Sequence, residues 1–262
     1  MPFQALQIEL TNQVATIWMN RPDIHNAFDE ILIAELTAAC IALNEDKDIR
    51  VVILAGRGKS FSAGADLNWM KRAAHNGLDD NLSDARALAS MLRTLAEMKK
   101  PTIARIQGAA LGGGMGLASA CDIAVASSKA VFATSEVRFG LIPAAISPYV
   151  LRAIGARQAY RYFQSAERID AGRAREIGLV HETVAPEELD AKVQEIVDAL
   201  IQGGPLSQAA AKDLIRAVDK QPINNTLVED TAHRIAHLRA TPEARQGIAA
   251  FLEKRSPTWI GE

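Results

Sequence analysis

Apolar positions along the first half of the chain come in short runs separated by longer amphipathic segments. Gln4–Leu10 and Val14–Met19 read as two strands around the turn Thr11-Asn12-Gln13, and Asn20-Arg21-Pro22-Asp23 ends that extended stretch. Ile31, Leu32, Leu36, Cys40 and Leu43 then recur at helical spacing, which predicts a helix over residues 30–44 with Asn26 or Asp29 as its cap. Val51–Ala55, Thr102–Ile106 and Ile123–Ala126 are compact apolar runs of the kind buried inside a sheet covered on both faces. A helical pattern over Leu82–Met98 lies between the first two and stops before Lys99-Lys100-Pro101. From Ala185 onward the pattern is helical almost throughout: 187–202, 205–220 and 226–239, broken at Gly203-Gly204-Pro205 and Gln221-Pro222. The expected organisation is an α/β core over residues 1–202 and a helical region over residues 203–262.

Composition adds little that is unusual. The 262 residues are 48% hydrophobic and 23% charged, which excludes a disordered or collagen-like chain. With 29 basic against 31 acidic residues there is no cationic excess to hold a phosphate backbone, so no nucleic-acid partner is expected. Cys40 and Cys121 lie far apart in Ala-rich stretches and read as buried thiols of a reducing compartment, not as a disulfide or a metal pair. No basic leader with a long apolar run opens the sequence and no apolar stretch of membrane length occurs, so a cytoplasmic protein without membrane contact is expected.

Several motifs fail on inspection. Gly58-Lys59-Ser60 would need glycine at Ile53 to form a phosphate-binding loop, and Ser60-Phe61-Ser62-Ala63-Gly64 lacks the first glycine of a nucleophile elbow. His233 and His237 stand one helical turn apart without the glutamate of a zinc motif, so no metal site is expected. Three segments remain. Ser60–Leu67 follows the Val51–Ala55 run and is rich in small residues. Gly112-Gly113-Gly114 follows Thr102–Ile106 and opens an apolar segment, where main-chain N–H groups at a helix start face outward. Glu136, in Phe132-Ala133-Thr134-Ser135-Glu136-Val137, sits in a mostly apolar neighbourhood after a short extended segment, as a general acid or base would. One N–H from each of the first two segments, converging on one oxygen, would make an oxyanion hole.

The order SFSAGADL, IQGAALGGGMGLASACDIAVA and FATSEVRFGLIP resembles the crotonase (enoyl-CoA hydratase/isomerase) superfamily over the whole chain, from NRPDIHNAF to FLEKRSPTW. Within it, ADLNWMK together with LIPAAISPYVLRAIG is similar to bacterial 3-methylglutaconyl-CoA hydratases. The resemblance implies a crotonase (ClpP-like) spiral of ββα units with a C-terminal helical region that builds homo-trimers, often paired into hexamers. It implies an acyl-CoA substrate and no separate cofactor, coenzyme A being part of the substrate. It also implies that the N–H groups of Ala65 and Gly113 hold the thioester oxygen and that Glu136 moves the proton. Residues near Ala63, Gly64, Asp66, Leu67 and Gly112 would hold adenine and pantetheine, His25 would lie near the phosphates, and Lys254 would reach a coenzyme A. Lys71, Arg72 and Arg138 are candidates for a distal substrate carboxylate.

Two departures stand out. The family's first catalytic glutamate, two places beyond the glycine triplet, maps onto Gly116. Ala144-Ala145-Ile146-Ser147-Pro148 replaces a more glycine-rich stretch, so the acyl pocket is expected to differ. With a single carboxylate, a hydratase and a double-bond isomerase both remain open; an RNA-binding or a non-catalytic crotonase-like protein is a further alternative, against which the acidic balance and the retained Glu136 respectively argue.

Overall fold

The computed structural model describes residues 3–260. Two compact units emerge. The first runs to Met98 and resumes over Thr102–Glu195; the second takes Lys99–Pro101 and the described residues from Ile196 on. The division thus falls inside a helix, ahead of the Gly203-Gly204-Pro205 break from which residue 203 was expected to start the tail.

In the first unit, strands β1 (Leu6–Thr11) and β2 (Val14–Met19) form an antiparallel pair at one edge. β2 alternates, burying Ala15, Ile17 and Met19. Helix α1 (Glu30–Glu45) follows, capped by the Asp29 carboxylate, which accepts from Leu32 N. Its buried face is Leu32, Ile33, Leu36, Ala39, Cys40 and Leu43, whereas Ile31 faces outward. β3 (Val51–Gly56) is buried at all six positions, as a central parallel strand must be.

Helices α2 (Leu67–Ala73) and α3 (Leu78–Ala96) lead to β4 (Thr102–Ile106). The chain continues through β5 (Ala109–Leu111), α4 (Gly113–Ala120), β6 (Ile123–Ser127) and β7 (Val131–Ala133). Then come α5 (Ser147–Ser165), β8 (Ile169–Asp170), α6 (Ala171–Glu176) and β9 (Glu182–Val184). The main sheet runs β1-β2-β3-β4-β6-β9, all neighbours after the first pair being parallel. A second sheet of β5-β7-β8 stands apart from it. Phe28, Phe61 and Phe132 are among the largest fully buried side chains.

The loops after β3 and β4 leave the carboxyl ends of adjacent parallel strands, where open α/β sheets bind ligands. They carry the two small-residue segments.

Helix α7 (Leu189–Ile201) crosses into the second unit, which holds α8 (Pro205–Val218), α9 (Asn225–Arg239) and α10 (Pro242–Leu252). Asn224 and Thr241 cap α9 and α10 through side-chain oxygens. Trp259 ties the end of the chain to this unit by donating to the Gln202 carbonyl at 2.9 Å. Among the described residues, no helix is long and apolar enough to cross a membrane.

Candidate active site

The segment after β3 is stitched to two neighbours. On one side Phe28 N donates to Gly64 O at 2.7 Å and Asp66 N donates to Phe28 O at 2.8 Å. That is the pattern of a parallel bridge, so the N–H of Ala65 itself points to the opposite side. On the other side Ser62 N donates to Ala109 O at 3.0 Å and Leu111 N donates to Ser62 O at 2.9 Å. Gly64, at φ 88°, passes so close to the second loop that a Cβ there would lie 2.9 Å from Leu111 O and 3.6 Å from Gly113 N. The two small-residue segments are therefore side by side.

Gly112 precedes α4 at φ 49° and ψ −119°, a conformation that L side chains rarely adopt. Its N–H donates to Ala133 O at 2.8 Å, which brings the end of β7, and the turn carrying Glu136, against the start of α4. No side chain caps α4, so the N–H of Gly113 has no acceptor in the helix. Among the described residues, neither this N–H nor that of Ala65 has an acceptor within the chain.

Glu136 opens a short 3-10 turn, Glu136–Phe139, closed by Gly140 in the left-handed region. Leu141 N donates to Glu136 O at 3.0 Å, and buried Thr134 donates from its hydroxyl to Tyr162 O at 2.9 Å. The carboxyl leans on Gly112, Oε1 lying 3.2 Å from where a Cβ would stand. Oε2 is buried and has no hydrogen-bond partner among the described residues. Burial pushes the carboxyl above its ordinary pKa, with the residue's own main-chain N–H pulling weakly the other way. A carboxyl that ionises nearer to neutrality can both take and return a proton.

The other expected residues fall as follows. His25, exposed and at φ 55°, places Nδ1 3.1 Å from Ser60 Oγ, and its carbonyl accepts from Ala63 N at 2.9 Å. The Asp66 carboxylate caps α2 by accepting from Asn68 N and Trp69 N, and lies 3.9 Å from Arg21. Leu67, the first residue of α2, is 73% exposed. Thus His25, Ala63, Gly64, Ala65, Asp66, Leu67, Gly112, Gly113 and Glu136 occupy one connected set of loops in the first unit. Lys254 lies in the second unit, exposed and left-handed, just past α10. Of the carboxylate candidates, Arg72 pairs with Glu30 at 2.8 Å and Arg138 donates to Ala166 O at 2.9 Å, while Lys71 is exposed on α2. His233 and His237 engage their own helix, His233 with Glu229 at 3.0 Å and His237 with the His233 carbonyl at 2.7 Å.

The two departures noted in the sequence meet in space. Gly116 stands one turn after Gly112 on the same face of α4. A Cβ at Gly116 would lie 2.2 Å from Ile146 Cγ2 and 2.7 Å from Ile146 Cβ. Ile146 is 2% exposed, so the room that an acidic side chain at position 116 would need is filled.

Sequence reasoning took Asn26 only as a possible helix cap and gave Gln107 no role, yet their side-chain amides clamp the loop between β3 and Ser62. An amide residue just before Gly108 and another just before the Ala27-Phe28 pair were the available signals.

Comparison with known proteins fits this geometry. The family model for enoyl-CoA hydratase/isomerase matches residues 9–262. The chain belongs to the enoyl-CoA hydratase/isomerase family. Similar members include the crotonyl-CoA hydratase of Syntrophomonas wolfei, 32% identical with all of both chains covered. A putative enoyl-CoA hydratase of Thermus thermophilus is 31% identical over 96% of this chain and 99% of its own. Among solved structures, an enoyl-CoA hydratase from Shewanella pealeana superposes with a TM-score of 0.96 at 42% identity, covering 98% of this chain and 96% of that one. The expected crotonase fold and an enzyme of the enoyl-CoA hydratase type both stand on these matches.

Proposed function

We propose that this family member adds water across the C2=C3 double bond of an enoyl-CoA thioester, with 3-methylglutaconyl-CoA or a similarly branched acyl group as substrate. The observation that carries this reading is half-buried Glu136, whose buried Oε2 has no partner among the described residues, in the same set of loops as two main-chain N–H groups without acceptors among those residues. Ionised Glu136 takes a proton from water as the water oxygen bonds to C3. The π electrons move through C2 onto the thioester oxygen, which becomes an enolate held by the N–H groups of Ala65 and Gly113. The enolate then collapses, C2 takes the proton from Glu136, and the carboxylate is restored. The two N–H groups help most when the oxygen is most charged, which is the differential binding that accelerates a reaction.

The sealed space at Gly116 favours one second reading, a double-bond isomerase. There Glu136 removes a proton from one carbon of the acyl chain and returns it two carbons away, and no water need be held by a second acid. Crotonyl-, 3-methylcrotonyl-, 3-methylglutaconyl- and 3-enoyl-CoA, followed by mass, separate the two. A gain of one water supports the hydratase, and unchanged mass with a shifted double bond supports the isomerase. No turnover of any of the four would refute both.

Coenzyme A enters as part of the substrate, near His25 and Ala63–Leu67; Lys254, in the second unit, is a cation for the phosphates of a coenzyme A held by a neighbouring copy. Apolar side chains exposed on the second unit, among them Ile215, Val228, Phe251 and Leu252, support assembly of copies into a homo-trimer or hexamer. The reading places the enzyme in the cytoplasm.

A further inference from the structure

We propose that Asn26 and Gln107 are positioning residues that aim the Ala65 N–H, and that they act on the transition state rather than on substrate binding. The inference rests on the oxyanion reading of Ala65 and Gly113. Asn26 is fully buried and left-handed, with φ 54°. Its side-chain oxygen accepts from Arg21 N at 2.9 Å, which leaves its NH2 group facing the loop after β3. That group donates to the carbonyls of Arg57 and Ser60, both at 2.9 Å, and of Phe61 at 3.2 Å.

Gln107, on the loop after β4, approaches the same turn from the other strand. Its NH2 group donates to Gly56 O at 2.7 Å, Ser60 O at 2.9 Å and Gly58 O at 3.2 Å. The two amides thus meet on one carbonyl, that of Ser60. Ser62 extends the clamp, its hydroxyl donating to Asn26 O at 2.8 Å and accepting from Gly64 N at 3.3 Å. Every residue from Gly56 to Gly64 is then either bonded to this clamp or within two residues of one that is. The next N–H in line is that of Ala65.

An oxyanion donor is worth most when held in place before the charge develops. Two rigid side-chain amides holding the approach to Ala65 serve that end, since a loop free to tilt would spend binding energy on reordering.

The test is Gln107→Leu, which keeps volume and removes the donors, with Gln107→Met as a second variant should the first not fold. Turnover of the preferred enoyl-CoA and the infrared band of the thioester carbonyl in bound, unreactive butyryl-CoA are both measured. We expect kcat to fall about tenfold or more with KM changed less than about threefold. The bound carbonyl band should lose at least half of the downshift seen in the wild-type complex. A folded variant with wild-type kcat and an unmoved band would overturn the proposal, as would a raised KM at unchanged kcat. Glu136→Gln, run beside it, keeps the two claims separate. If the wild-type chain turns over no enoyl-CoA, the functional reading fails, whereas the carbonyl band still decides the role of Gln107.

Discussion

Gly116→Ala is a small substitution with a large expected effect, and its sign is set by one neighbour. In an unpacked helix, replacing glycine by alanine gains about 1 kcal/mol of helix propensity. Here the new methyl would stand 2.2 Å from Ile146 Cγ2 and 2.7 Å from its Cβ, well inside van der Waals contact. Both atoms lie at the branched root of the isoleucine, whose χ1 is stiff, so the side chain cannot swing clear. Overpacking of this kind costs about 1–3 kcal/mol, so the net change is a loss of up to about 2 kcal/mol. Ile146→Ala alone should cost about 2–5 kcal/mol, because the side chain is 2% exposed and leaves a cavity. In the Ile146→Ala background the 2.2 Å clash with Cγ2 is gone, while the 2.7 Å approach to the Cβ that alanine keeps remains. Gly116→Ala should then cost less than in the wild type, because only one of the two close contacts is left. Thermal unfolding of the four proteins at one fixed concentration reads the cycle, at roughly 2–4 °C per kcal/mol for a chain approaching this size. If the Gly116→Ala shift has the same sign and size in both backgrounds, the argument that Ile146 seals position 116 is wrong.

Glu136→Gln should abolish most activity while leaving binding of the CoA thioester nearly intact, checked by turnover and by calorimetric titration. Because burial raises the folded pKa of Glu136 above its unfolded value, the group lends stability at pH below the unfolded value. That contribution is lost as pH rises through the folded pKa, so Glu136→Gln should melt at or above the wild-type temperature at neutral pH and show no such gain in acid. For hydration the carboxylate must be ionised, so wild-type kcat/KM should decline as pH falls through a value above the ordinary glutamate range; a decline only within the ordinary range would count against the burial argument. Asp66→Ala removes the acceptor for two N–H groups at the start of α2 and should cost about 1 kcal/mol by thermal melt, with a further loss of activity because Asp66 adjoins Ala65.

Strong periodicity made the long elements legible. The expected helix at 30–44 is observed at Glu30–Glu45, and Thr102–Ile106 is a strand with both bounds as read. Within α1, though, Ile33 takes the inner position and Ile31 the outer one, since a hydrophobic count fixes the period of a helix better than its phase. The second sheet was invisible because its strands are two or three residues long and carry no alternation. Helix α5 was not read either: Pro148 opens it, Gly155 at φ 73° interrupts it, and exposed arginines fall between its buried positions Val150, Ile154, Ala159 and Tyr162. For the candidate site, the small-residue loops and Glu136 could be picked out because glycine runs and a lone acid in an apolar stretch are unusual. Asn26 and Gln107 could not, since their work is done on carbonyls roughly 30–50 positions away.

Ile146 against Gly116 also bears on how such a site changes over generations. A lineage cannot gain a second acid on α4 by altering position 116 alone, because every side chain placed there collides before its chemistry can be tried. Position 146 would have to shrink first, at a stability loss with no immediate benefit. The order of events is forced, and the valley between one-acid and two-acid forms is dug by one isoleucine side chain.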